Sequence, residues 1–250
     1  MLTDRYPELS FPLTPELARR LPRSPAYRYR VQPDEVQLTP EPRCGHGVLT
    51  ISSAIASDAS DLRLPSGWRI DDLQASDWPR LLPLFLDAYS TQLPFSVLSG
   101  TEAEELAIET LEGTRLGADG SLVPDCCLVL RTAERTSIAA ALLVTVLPAG
   151  NLSDFSDSAW QQTPPPQPHT QAWGRPHLTW VLTSPSHQRQ GHAKLLLMSV
   201  LPRIAAWGYT ELASTFQLDN VPSLLWHWRM GFALQGAGVG GRGSGSVVEG

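Results

Sequence analysis

The chain has 250 residues, with 19 basic and 25 acidic side chains and a formal net charge of −6. That length holds one large domain or two small ones and buries enough surface to need no disulfide staples. An acidic balance without a basic stripe argues against electrostatically driven binding to nucleic acid. Arginine dominates the basic side, and Lys194 is the only lysine. No run approaches the ~18 apolar residues of a membrane span, and residues 1–8 lack an apolar signal core. The expectation is a cytoplasmic protein with no membrane partner. Cys44, Cys126 and Cys127 show no zinc or redox spacing and read as small apolar side chains.

Residues 1–66 carry scattered prolines and no sustained helical stripe. They read as an N-terminal extension packing on or flanking a domain. Residues 15–21 fit a short helix capped by Thr14; residues 27–31 and 48–51 fit short strands. The regular pattern runs from 67 to 235 and defines the domain. It opens with a strand at 68–73. Ser76 then caps a helix that buries Leu81, Leu82, Leu84, Phe85 and Ala88, with Pro79 in its first turn. Thr101 and Glu104 have capping-box spacing ahead of Leu106, Ile108 and Leu111. Two apolar runs, 127–132 and 138–146, flank a charged turn at 133–136 and read as an antiparallel hairpin. The connection 149–174 holds Trp160, Trp173 and a proline run; a loop this long is either a substrate-side lid or an unstructured insert.

A strand at 177–183 leads into a helix at 191–207, which buries Leu195, Leu196, Met198, Leu201, Ile204 and Ala205. Pro202 should bend that helix and Gly208 should end it. A strand at 211–218 follows. Asn220 caps a last helix, and 232–234 fits a short strand. Residues 236–250 form a flexible Gly/Ser-rich tail. Alternation of this kind implies an α/β chain with a mixed sheet and helices on its faces.

The sharpest feature is the polar turn at 183–193, between an apolar strand and an apolar helix. Such a turn aims backbone N–H groups and a helix N-terminus at one point, which suits a phosphate or pyrophosphate. Gly191 lets the backbone approach an anion closely, and Ala193 is small. Gly236 to Gly241 satisfies Gly-x-Gly-x-x-Gly in letters only, since no helix follows. His187 and His192 flank the turn without a third ligand, so no metal is expected.

Gln188, Arg189, Gln190, Gly191, His192 and Ala193 fit the pattern Gln/Arg-x-x-Gly-x-Gly/Ala, which resembles the signature of the GNAT N-acetyltransferase superfamily. The Asn220-led helix ending in Gly231 and Phe232 resembles that family's second signature, and residues 70–77 resemble its opening strand and first helix. The resemblance covers about 67–235. It implies a central mixed, largely antiparallel sheet flanked by helices on both faces. It implies acetyl-CoA as co-substrate and a primary amine acceptor, small molecule or peptide. An oligomer is compatible with it.

By family pattern, the backbone of Val181, Leu182 and Thr183 would pair with the pantetheine arm. Amides from Gln188 to Ala193 would hold the pyrophosphate, and Asn220 and Ser223 would lie near the thiol end. The family places a tyrosine acid where this chain has His227; a histidine can donate a proton there or can be a packing substitution. His177 is a candidate base, with Asp71, Asp72 or a water chain as rivals. The family also ends in two strands, whereas this chain has room for one. Residues 27–31 or 48–51 are expected to cover the sheet edge left open. The alternative to an enzyme is a non-catalytic acyl-CoA-binding or regulatory module.

Overall fold

The structure is a computed structural model that describes residues 9–12, 14, 27–40, 44–57, 64, 66–92, 94–96, 98–132, 137–152, 154, 156–218 and 220–235. The helix expected at 15–21, the turn at 133–136 and the tail at 236–250 lie outside the described residues.

β1 (Leu9–Pro12), β2 (Tyr27–Val31) and β3 (Glu35–Pro40) form a small antiparallel sheet in the order β1-β3-β2. The main sheet takes β4 (Cys44–Thr50), β5 (Trp68–Asp72), β6 (Ser121–Leu122), β7 (Leu128–Thr132), β8 (Ile138–Leu147), β9 (Arg175–Thr183), β10 (Glu211–Gln217) and β11 (Ala233–Gln235). Its order is β11-β4-β10-β9-β8-β7-β5, with β6 beside β8. Among the described strands only β9 and β10 run parallel; the other pairs are antiparallel. The sheet is thus mixed and largely antiparallel, as expected.

β4 lies between β10 and β11, in register from Thr50 opposite Glu211 to Cys44 opposite Gln217. An extension strand does cover the open side of β10. It starts earlier than the β-branched letters at 48–51 suggest, and Ile51 instead opens α1 (Ile51–Ser57). Residues 27–31 stay in the small sheet.

Helices cover both faces. α2 (Trp78–Tyr89) and α3 (Gly100–Arg115) set Leu81, Phe85 and Leu111 against Val129, Ala141, Leu143 and Leu182. α4 (His192–Ala206) sets Leu196, Val200, Leu201 and Ile204 against Leu130, Leu142, Val144, Leu178 and Leu212 on the other face. β8 is buried along nearly its whole length, as a central strand between two helical layers must be. α5 (Val221–Arg229) follows β10.

Two caps differ from expectation. Ser99, not Thr101, caps α3: its Oγ accepts from the Glu102 amide at 3.3 Å, and Glu102 accepts from the Ser99 amide at 2.9 Å. Asp77, not Ser76, precedes α2. Its carboxylate accepts from the Gln74 amide and from Arg131, which ties the start of α2 to β7. Burial raises the Asp77 pKa, but those hydrogen bonds outweigh it and hold the carboxyl below its usual range.

The 149–174 connection is built, not bare. It contains two short 3-10 turns, Ser158–Gln161 and Pro168–Gln171. Trp160 Nε1 donates to the carbonyls of Asn151 and Asp154, and Tyr209 donates to the Trp173 carbonyl at 2.7 Å. Cys126 and Cys127 are buried and unbridged, and burial pushes both thiols up to about 12.

Candidate functional site

On one side β9 pairs with β8 from Arg175 to Thr183. On the other it pairs with β10 at two positions only, His177 with Ala213 and Leu178 with Ser214. Beyond them the two parallel strands part. The β8–β9 register shifts at the same place: Leu143 faces Trp180 and Val144 faces Leu178, so Thr179 is an extra residue that bends β9. The backbone from Trp180 to Thr183 therefore offers an unpaired edge to the cleft. Val181 packs toward α4, while Leu182 is buried toward α2 and α3. Of these residues the main chain is what faces the parted strands.

The cleft leads to the turn at 184–191 and the start of α4. The first amides of a helix have no partner within it and carry its positive end. Gly191 has φ 83°, and a Cβ built on it would meet nothing within 4 Å. Gln188 Nε2 donates to the Thr183 carbonyl at 3.5 Å and Gln190 Nε2 to the Ser186 carbonyl at 3.1 Å, so both side chains brace the turn. Arg189 sits at φ 60° with its side chain exposed. The His192 side chain is 3% exposed, yet its Nδ1 has no hydrogen-bond partner. Its ring lies 4.8 Å from that of Trp68. Burial, then neighbouring His187, lowers its pKa. Open space at Gly191, a helix N-terminus and an orphaned buried nitrogen fit an anionic group such as a pyrophosphate.

Asn220 caps α5 as expected, its Oδ1 accepting from the Ser223 amide at 3.1 Å. His227 is one helical turn past Ser223. Its ring stacks on Phe216 at 4.4 Å and meets Trp226 and Phe232 edge-on. Nε2 is 2.8 Å from Ser214 Oγ, at the point where β9 and β10 part. Nδ1 is 2.8 Å from the Ser223 carbonyl, a contact that requires a proton on Nδ1. Burial pushes His227 down to about 4, with the Ser223 contact opposing. At neutral pH the ring is uncharged, and Nε2 is an acceptor with no proton to give.

His177 faces the other side of the sheet. It is 8% exposed, not turned to solvent as a strand-start histidine would be. Its Nδ1 is 3.1 Å from Thr179 Oγ1 and its Nε2 is 3.1 Å from Thr215 Oγ1. Thr215 also lies 3.0 Å from Nδ1 of His46 on β4. Sequence reasoning missed His46, Thr179 and Thr215. The alternation of Gly45, His46 and Gly47 is the one signal that pointed there. The rival bases are elsewhere. Asp71 is ion-paired with Arg69 and Arg131, and Asp72 with Arg203, on a strand separated from β9 by β7 and β8. Among the described residues no group of three or more His, Cys, Asp or Glu is placed to hold a metal, and no helix is long and apolar enough to cross a membrane.

Residues 161–232 match the model of the acetyltransferase (GNAT) family. The matched segment, less than a third of the chain, is similar to that family. It spans β9, the Gly191 turn, α4, β10 and α5, so the parted strands and the turn both fall inside it. A search of the curated proteins returns no significant match. Among solved structures, a GCN5-related N-acetyltransferase from Sphaerobacter thermophilus aligns at TM-score 0.48 and 13% identity, over 91% of this chain and 57% of that one. The chain thus spans little more than half that protein's length. A GNAT family acetyltransferase from Brucella melitensis, in complex with acetyl-CoA, aligns at 0.41 and 14% identity, over 67% and 86%. The PaiA N-acetyltransferase of Thermoplasma acidophilum, in complex with coenzyme A, aligns at 0.45 and 10% identity, over 67% and 91%.

Proposed function

We propose that the chain is an acyl-CoA-dependent N-acyltransferase that moves an acetyl group from acetyl-CoA to a primary amine by direct attack on the thioester. The observation that carries this reading is one continuous feature: parted parallel strands that open onto a glycine turn and a helix N-terminus, inside the GNAT segment. When bound, acetyl-CoA supplies an activated acyl group on a thiolate leaving group. The main chain of Val181, Leu182 and Thr183 would pair with the pantetheine arm. The amides from Gln188 to Ala193 would hold the pyrophosphate, and Asn220 and Ser223 would flank the thiol end. A backbone N–H on the free edge of β9 would stabilise the oxyanion. The domain is proposed as residues 67–235, with β4 of the extension as an added strand of its sheet.

An alkyl ammonium has a pKa of ~10, so about one molecule in a thousand is neutral at pH 7. A base must take that proton, and His177 is the proposed group. For His227 the geometry favours holding the Ser214 hydroxyl over delivering a proton to the leaving thiolate. That point also gives weight to the second reading, a binding module that does not turn over.

Calorimetry with acetyl-CoA and CoA tests the site. Gly191→Trp should abolish binding while the fold remains; retained affinity would mean the site lies elsewhere. At about 100 times Kd the donor should add about 2.7 kcal/mol of stability to the wild type and nothing to the variant. Thiol release with a panel of primary amines then separates an enzyme from a binding module: binding with no turnover across the panel selects the module.

A further inference from the structure

His46, Thr215, His177, Thr179 and Thr145 form an unbroken hydrogen-bonded chain across β4, β10, β9 and β8. The donor directions follow from its far end. Thr145 Oγ1 donates to the Asp119 carbonyl at 2.7 Å, which uses its only proton. The 2.8 Å contact between Thr145 and Thr179 then needs the Thr179 proton. Thr179 must therefore accept from His177 Nδ1, which leaves Nε2 of the neutral ring as an acceptor. Thr215 donates to that Nε2, and its own oxygen accepts from His46 Nδ1. The directions are assigned from the network; the Thr179 hydroxyl also lies 3.4 Å from the His177 carbonyl, and with its proton on either acceptor it still accepts from His177 Nδ1.

We propose that His46 and His177 are one proton-relay unit joined through Thr215, so that a strand outside the GNAT segment supplies half of the proposed base. Its use in acetyl transfer rests on the function proposed above. A proton that enters at Nε2 of His46 forms an N–H bond there and releases the proton on Nδ1. Thr215 takes that proton on Oγ1 and passes its own to Nε2 of His177. His46 returns to neutral, and the positive charge rests on His177, whose Nδ1–H stays on Thr179. The two facing ring nitrogens lie at most about 6 Å apart, each within hydrogen-bond reach of Thr215. A second positive charge at that distance is opposed, so the unit holds at most one excess proton at a time.

Titratable and charged side chains share the face of the pair. Alternation along the strands puts Cys44, Glu211 and Arg175 on the same face. Arg175 donates to the Gly150 carbonyl, and the Asp119 carboxylate accepts from Thr114. Gln235, opposite His46 on β11, carries no charge. Burial lowers the His46 pKa.

The test is a pH titration of the full chain with 15N-labelled histidine, read at the ring nitrogens and assigned with His46→Gln and His177→Gln. In a coupled pair each ring reports both protonation steps. The relay predicts Nδ1–H tautomers on both rings and two-step curves on both. Thr215→Val should turn each curve into a single independent step, and Thr215→Ser, which restores the hydroxyl, should bring the two steps back. Independent single steps in the wild type, or two-step curves that survive Thr215→Val, would overturn the relay. Acetyl-CoA binding is measured on the same samples. Coupled titration without binding would remove the acyl-transfer reading and leave the relay. Binding with independent titration would do the reverse.

Discussion

Ser214 and Thr215 are neighbours on β10, and each presents a hydroxyl to a histidine on opposite faces of the sheet. On the Ser214 side the histidine is sealed under Phe216, Trp226 and Phe232, and its second nitrogen is spent on a backbone carbonyl. That ring is locked in one protonation state at neutral pH. On the Thr215 side a hydroxyl stands between two histidines, and further hydroxyls carry the chain to Asp119. The residue types are the same. What differs is whether the hydroxyl joins its histidine to a second titratable ring, and that decides whether a histidine serves structure or proton transfer.

The largest effect expected is on the sealed side. The unfolded His227 ring takes a proton near pH 6.5, whereas the folded one does so only near about 4. Its contribution to stability is therefore complete above pH 6.5 and is lost as pH falls toward 4. The size is on the order of 3 kcal/mol. Denaturant titrations at pH 7 and pH 4 should show this loss, and His227→Phe should remove most of it, since the Ser214 hydroxyl can then turn to the Leu178 carbonyl at 3.1 Å. An equal loss in the variant would mean that other groups dominate.

Next comes Ser214→Ala, which leaves a buried Nε2 without a partner and should cost about 1–3 kcal/mol at pH 7. Thr215→Val should cost less, about 1 kcal/mol, because water reaches the half-buried Thr215 more readily. If Thr215→Val proved the more damaging of the two, the contrast between a sealed and an open face would fail. Thr215→Ser should stay within about 0.5 kcal/mol of wild type by thermal melt.

Much of this arrangement was legible in the sequence. The continuous apolar run of β8, the apolar stripe of α4, the glycine turn and the Asn220 cap are local signals, and each lies where expected. The α3 cap was ambiguous by its letters: Ser99 with Glu102 and Thr101 with Glu104 have the same spacing, and only the extended backbone at Ser99 decides between them. β4 was harder still. Gly45 and Gly47 read as breakers, yet a Cβ on Gly45 would come within 2.9 Å of Phe216 and one on Gly47 within 3.1 Å of Phe232. The glycines make room for the aromatic cover of His227. The need for them arises from residues some 170 positions later, which no local pattern records. The burial of His177 has the same origin, in partners on β10 and, through Thr215, on β4.

The place of β4 also has a consequence in time. Its partners, from Glu211 to Gln217, follow it by more than 160 residues. At ribosomal rates of about 5–20 residues per second, an early-made strand with glycines on one face waits roughly 10–30 s for its template. The order of synthesis thus runs against the order of pairing. β4 cannot take its place beside β10 before β10 has been made, and β11, which follows α5 in the chain, can be laid against it only later still.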